Sequence, residues 1–298
     1  LQLISTYHDP QITQFAPFDQ TSAAAAQAAW MAAQIQASYP DAWPETVRAL
    51  IVHTAEWTDA MKRQFLPESA GKEAYERFLR ICGYGVPNLE RALHCAANSL
   101  TLICQNELQP YSVRDGRAVT NDLHFYQLPW PTDVLRDMGE TNVTMRVTLS
   151  YFIEPGPGEV GWQDRYRYPS HALRFAINGP GESEQEFLAR INLQAREEEG
   201  HPGTEGPQDH WLIGNARNVG SIHSDIWNGS AAELAASNLI CIYPAVGWWR
   251  ERKHLGRINK RARYSLIVSI LTQESNIDIY TPVAAQIRAA IPVAIPVR

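Results

Sequence analysis

The constraint that most limits this chain is a change of texture near Asn98: helix-like periodicity before it, short strand-like runs after it. Ser22 to Ser38 is Ala-rich, with Trp30, Met31 and Ile35 interspersed. Asp19, Thr21 and Ser22 lie where an N-cap belongs, and Tyr39-Pro40-Asp41 is a natural stop. Trp43-Pro44-Glu45 predicts a second helix, because Pro is tolerated in a first turn. Val47, Leu50, Ile51 and Thr54 then recur at helical spacing, marking a core-facing stripe. A third amphipathic run, Lys72 to Ile81, ends at Cys82-Gly83-Tyr84-Gly85, and a short helix from Asn88 to Ala97 follows Pro87.

Beyond Asn98, apolar or alternating segments are separated by Pro, Gly and Asn, the texture of strands in a sandwich. The predicted strands are Leu100 to Gln105, His124 to Leu128, Asn142 to Phe152, Ala172 to Ile177, Leu239 to Pro244 and Arg263 to Leu271. The run from Val143 to Tyr151 alternates apolar and polar residues, as a strand with one buried face requires. Arg196 to Gln208, rich in Gly, Glu and Pro, reads as an exposed loop, and Pro292 to Pro296 as part of an irregular end. No internal repeat is visible.

Composition narrows the function classes. With 26 Lys+Arg against 32 Asp+Glu, the formal charge of −6 gives no general field for nucleic acid. The longest apolar stretches, such as Leu239 to Val246, fall far short of the roughly 20 residues a membrane-spanning helix needs. The four cysteines, Cys82, Cys95, Cys104 and Cys241, have no zinc spacing and read as buried thiols. They favour a reducing, cytoplasmic compartment, although Cys95 and Cys104 could pair. No basic start or apolar h-region of a signal peptide opens the chain, and a first residue other than Met fits a fragment of a longer protein.

Chemistry concentrates at Asp19-Gln20-Thr21-Ser22-Ala23-Ala24-Ala25-Ala26. A hydroxyl at a helix mouth caps free amides in the ordinary case. It can also be a nucleophile, since the helix dipole favours negative charge there and the local amide can help hold an oxyanion. This stretch resembles the nucleophile motif of the subtilisin-like serine peptidases, Gly-Thr-Ser followed by a small-residue helix. The resemblance continues through Pro44 to Ala55, which is similar to the family's post-nucleophile helix ending in Thr-Ala. It reaches Gly83-Tyr84-Gly85-Val86-Pro87-Asn88, similar to the Gly-x-Gly-x-x-Asn segment that closes the catalytic domain. Gln20 stands where the family has Gly, and Ala26 where it has Pro.

The resemblance implies an α/β catalytic domain, of which residues 1–98 are the C-terminal, mostly helical portion. Residues 99–285 would then form an appended all-β sandwich or jelly-roll-like domain, and 286–298 an irregular tail. It implies peptide-bond hydrolysis of a polypeptide substrate with Ser22 as catalytic nucleophile and no cofactor or metal required. The Asp, the His and the oxyanion Asn of the family lie upstream of the Ser, and only 21 residues precede Ser22. The expected partner is therefore a missing N-terminal catalytic region, and this chain alone should be inactive. His8-Asp9 is too compact to replace the family's separate motifs, and His53 reads as a packed helix residue.

Two further blocks stand out. His210 to Gly229 gathers His210, His223, Trp211, Trp227, Asp209 and Asp225 without any zinc spacing, and reads as a polar network fixing a loop. Asp209, Asp225 and Asn228 could still supply oxygen ligands to a structural calcium. Trp248-Trp249-Arg250 to Arg263 reads as a charged loop between strands, with one Trp packed and one near the surface. That loop is the basis of a rival reading: a non-catalytic binding or scaffold protein holding a protein, glycan or nucleic-acid partner.

Overall fold

A computed structural model describes residues 3–94, 99–157, 168–197, 208–272 and 293–296. Strands β1 (Leu3–Thr6) and β2 (Phe15–Phe18) form an antiparallel hairpin that leads directly into α1 (Thr21–Ser38). Four shorter helices follow: α2 (Pro44–His53), α3 (Asp59–Phe65), α4 (Lys72–Cys82) and α5 (Leu89–Leu93). Pro44 takes the first helical position of α2, where its missing amide costs nothing. The Asn88 side chain caps α5 by accepting from the Arg91 amide.

The strands expected from the sequence are present: β3 (Ser99–Leu108), then a β4–β5 hairpin (Tyr111–Arg114, Arg117–Thr120), and β6 (Asp122–Gln127). Helix α6 (Thr132–Met138) precedes β7 (Asn142–Tyr151) and β8 (Ala172–Ile177); α7 (Glu184–Glu197) precedes β9 (Ile222–Ser230). The remainder is α8 (Ala231–Ala236), β10 (Leu239–Ala245), α9 (Trp248–Glu251), β11 (Ala262–Thr272) and β12 (Val293–Pro296). The second half is thus mixed rather than all-β, with α6 to α9 interposed.

Two four-stranded antiparallel sheets, ordered β3-β11-β7-β9 and β12-β6-β10-β8, share one core. Along β7 the residues Val143, Met145, Val147, Leu149 and Tyr151 enter that core, meeting Leu173, Phe175, Ile240 and Ile242 from the opposite sheet. The outer faces are covered as well. Phe187, Ile191 and Ala195 of α7 pack on Leu123, Phe125, Cys241 and Tyr243 of the second sheet. Helix α2 lies on β11 and β7 of the first, its Val47, Ala49 and Leu50 clustering with Ile35 and Ile267. Covering on both sides explains why every residue of β10 is buried, with no alternation left to read.

Two expectations give way at the ends of the second half. Val293–Pro296, expected to be irregular, pairs with β6 from Val293↔Phe125 to Pro296↔Asp122. A proline is admissible there because β12 is an edge strand and Pro296 its last residue. Arg196 and Glu197 close α7 instead of opening a loop, and 198–207 lie outside the described residues, as do Cys95 and the rest of 286–298. Cys82, Cys104 and Cys241 are free thiols.

Candidate functional site

Ser22 occupies the second position of α1, not its cap. The N-cap is Gln20, in an extended conformation and without a side-chain capping bond. The first helical backbone bonds run from the Ala23 and Ala24 amides to the Gln20 carbonyl, so the Ser22 amide keeps its donor. The Ser22 hydroxyl is exposed and has no hydrogen-bond partner among the described residues. Its capping role, the ordinary explanation for a hydroxyl at a helix start, is therefore absent.

Helix α1 is itself sparsely covered. Only Ala23 and Ile35 are buried; Ala24, Ala25, Ala26, Ala28 and Ala29 are exposed, and Trp30 is 55% exposed. The helix is anchored at its C-terminal end, through Ile35 and Tyr39, against α2 and α5.

Neither local candidate reaches Ser22 as a base. His8 sits exposed in the β1–β2 turn, its ring tilted against Tyr7. His53, at the end of α2, is buried and held on both ring nitrogens: Nδ1 to the Thr148 hydroxyl at 2.9 Å, Nε2 to the Ser269 hydroxyl at 2.8 Å. Burial, reinforced by Arg146 and Arg91, pushes its pKa well below the usual histidine value, so it is a neutral member of a polar seam.

That seam joins α2 to the outer face of the first sheet. Arg48 donates through Nε to Ser150 Oγ at 2.9 Å, through Nη1 to Ser221 Oγ at 3.2 Å, and through Nη2 to the Tyr151 and Ser221 carbonyls, each at 2.6 Å. Thr148 Oγ1 also bonds Ser224 Oγ at 2.8 Å. Thr148 and Ser150 of β7 are thus occupied by α2 and buried away from water. Sequence reading missed this role for Arg48; the only signal was the even-position polar set Thr148 and Ser150 facing a helix that carries a cation beside an apolar stripe.

The Gly83-Tyr84-Gly85 segment has a backbone reason. Gly85 has φ +98, and a β-carbon there would stand 2.3 Å from the Glu56 carbonyl oxygen, against which the Glu56↔Val86 bridge closes.

The His210 to Gly229 block is structural. Asp225, on β9, accepts from the Ile213 and Gly214 amides and from Arg217 Nη1 at 3.1 Å in a fully enclosed ion pair. Burial pushes its carboxyl up and Arg217 pulls it down. Asn228 Oδ1 accepts from Thr144. Asp225 is therefore committed to Arg217 and withdrawn from a calcium site, and no group of three or more His, Cys, Asp or Glu residues suited to a metal occurs among the described residues.

The Trp248–Trp249 pair corrects a second expectation: both rings are 3% exposed. Their Nε1 atoms donate to the Glu154 carbonyl and to Glu154 Oε2, while Lys260 Nζ holds the other carboxylate oxygen, Oε1. The expectation of one surface Trp fails because Glu154, remote in sequence, supplies polar partners that allow both rings to be buried. No helix among the described residues is long and apolar enough to cross a membrane.

With that geometry in place, comparison with known proteins is informative. Residues 1–85 match the Subtilase family model of peptidases, so this part of the chain has a subtilase-like relationship. The chain is also similar to the uncharacterized protein y4bN of Sinorhizobium fredii, 34% identical over 131 residues, which is 44% of this chain and 26% of that protein. The chain thus spans about a quarter of the length of the curated relative it matches.

Proposed function

We propose that this chain is the C-terminal portion of a subtilisin-like serine endopeptidase, with Ser22 as its nucleophile and a polypeptide as its substrate. The observation that carries the reading is the placement of Ser22: exposed, in the first turn of an 18-residue helix, with neither its hydroxyl nor its amide consumed by capping. The family match over residues 1–85 and the exposed small-residue face of α1 support it.

In the complete enzyme a histidine upstream of this chain takes the Ser22 proton as Oγ attacks the scissile carbonyl, and an upstream Asp orients that histidine. The Ser22 amide and an upstream Asn side chain hold the oxyanion. The histidine then gives its proton to the leaving amine, and water hydrolyses the acyl-enzyme by the same sequence of steps. The chemistry needs no metal. On this reading the 98 N-terminal residues complete a catalytic domain, and the paired sheets are an appended sandwich-like module that holds α2 in place.

Intact-mass labelling with a fluorophosphonate tests the assignment. The expected result is labelling of the longer natural protein, lost in Ser22→Ala, and none of this chain alone. A folded longer protein that takes no label overturns the nucleophile; labelling of this chain alone overturns the need for an upstream base.

A further inference from the structure

A cavity of about 350 Å³ lies between the helices and the outer face of the first sheet, and Ser22 is not among the residues that line it. That volume falls in the range of small-molecule sites. Its walls come from distant parts of the chain: the Ala55-Glu56-Trp57 turn, Lys62 of α3, Arg91 of α5, Arg146 of β7, and an apolar side from Ile226 and Leu271.

The charge inside is opposite to that of the whole chain. Lys62, Arg91 and Arg146 bring three cations and Glu56 one carboxylate, ion-paired to Arg91, so a net of two positive charges faces the cavity in a protein of net −6. Arg146 is the informative member. Its Nε donates to Ser224 Oγ at 3.1 Å and its Nη1 to the Ala55 carbonyl at 2.5 Å. No hydrogen bond of its Nη2 and no ion pair of its side chain is found among the described residues, and Asp225 attracts it only from a distance. Burial, with repulsion from Arg91, brings its pKa down to about 10, so it stays cationic at neutral pH. A brace between α2 and the sheet accounts for two of its nitrogens. It does not account for the third, nor for a second guanidinium and an ammonium turned to the same space.

The walls are preorganised. Trp57 donates Nε1 to the Gly83 carbonyl at 2.8 Å and packs, tilted, against Phe78 at 5.0 Å between centroids. The Tyr84 hydroxyl is fixed between the Ile222 carbonyl and the Ser224 amide.

We propose that this cavity binds a small oxyanion, a carboxylate or phosphate monoester carrying an apolar group, with the anion between Arg146 and Arg91 and the apolar part against Ile226 and Leu271. Guanidinium forks suit both oxyanions, and the desolvated wall strengthens the attraction. Arg91 and Glu56 set the affinity in opposite senses: Arg91 attracts the ligand, while Glu56 competes with the ligand for Arg91.

Calorimetric titration of the 298-residue chain at fixed ionic strength tests this with phenyl phosphate, phenylacetate, inorganic phosphate and neutral benzyl alcohol. Saturable one-to-one binding of phenyl phosphate or phenylacetate is expected, tighter than inorganic phosphate, with none for benzyl alcohol; the tighter arm identifies the oxyanion. Arg91→Gln should weaken binding roughly tenfold, and Glu56→Gln should tighten it several-fold. Both side chains are partly exposed, so these variants fold even if Arg146→Lys does not. Absence of binding by every anion at millimolar concentration overturns the proposal, as does binding that ignores both Arg91→Gln and Glu56→Gln.

Discussion

Arg48→Met is the sharpest probe of how the helices are held. The substitution keeps the aliphatic stem and removes four hydrogen bonds, two of them to backbone carbonyls of the first sheet, together with the stacking of the guanidinium over Phe152 at 4.2 Å. Bonds to a charged donor contribute about 1.5–3 kcal/mol each in favourable cases. Simple addition would overshoot, because the native fold has already desolvated the guanidinium, at a cost of several kcal/mol that the variant recovers. Burial lowers the Arg48 pKa, in keeping with that cost. The Ser221 carbonyl also retains its bond from the Tyr151 amide, so the seam is not left wholly unsatisfied. The expected net loss is about 2–4 kcal/mol. Urea unfolding measures it, and native-state hydrogen exchange shows where it acts: peptides from α2 and β7 should lose protection together. A loss below about 0.5 kcal/mol, or opening of α2 independently of β7, would refute the view that this polar seam fastens the two halves into one cooperative unit.

Acid should unfold the protein early. Burial holds His124, His171 and His223 down to about 4 against an ordinary 6.5, so the unfolded chain binds protons that the folded chain refuses. Stability is therefore intact above about pH 6.5 and falls as pH drops towards 4, by about 1.4 kcal/mol per unit for each ring; a flat urea midpoint between pH 7 and 5 would contradict this. Gly85→Ala should cost about 2–4 kcal/mol, since the new β-carbon meets the Glu56 carbonyl and φ is +98, whereas Gly83→Ala, at φ +56 with nothing within 4 Å, should cost less. Equal thermal shifts for the two variants would remove the steric argument.

What could be read from the sequence follows from which forces are local. The starts of α2 and α5 depended on Pro44 and Asn88, and strands β7 and β8 on alternation and punctuation, all of which act within a few residues. Ser22 could be singled out because a hydroxyl before a small-residue helix is itself a local pattern. Strand β9 was hidden: His223, Ser224 and Asp225 are polar yet buried, their partners being Gly220, Thr148 and Arg217. The burial of both Trp248 and Trp249 depended on Glu154, nearly a hundred residues away. The cavity cations come from α3, α5 and β7, and no linear spacing connects them. Tertiary pairing made these polar residues interior, and hydropathy carries no trace of it.

The polar seam also bears on where chemistry can occur. An apolar joint between helices and sheet would tolerate sliding, since dispersion contacts have little direction. The four bonds of Arg48 and the two of His53 fix the position of α2 along β7 and β11, because a shift of one residue would bring the opposite face of the strand beneath both side chains. Among the described residues, the apolar cluster that joins α1 to α2 takes Ala32, Ile35 and Tyr39 from its C-terminal half. The second half therefore fixes the base of α1, while Ser22 and the alanines at 24–26 stay exposed. On the proposed peptidase reading the sheets would control the placement of α1, while reactivity would depend on whatever covers its open face. Loss of the Arg48 seam would then disturb the geometry around Ser22 without touching any reacting group.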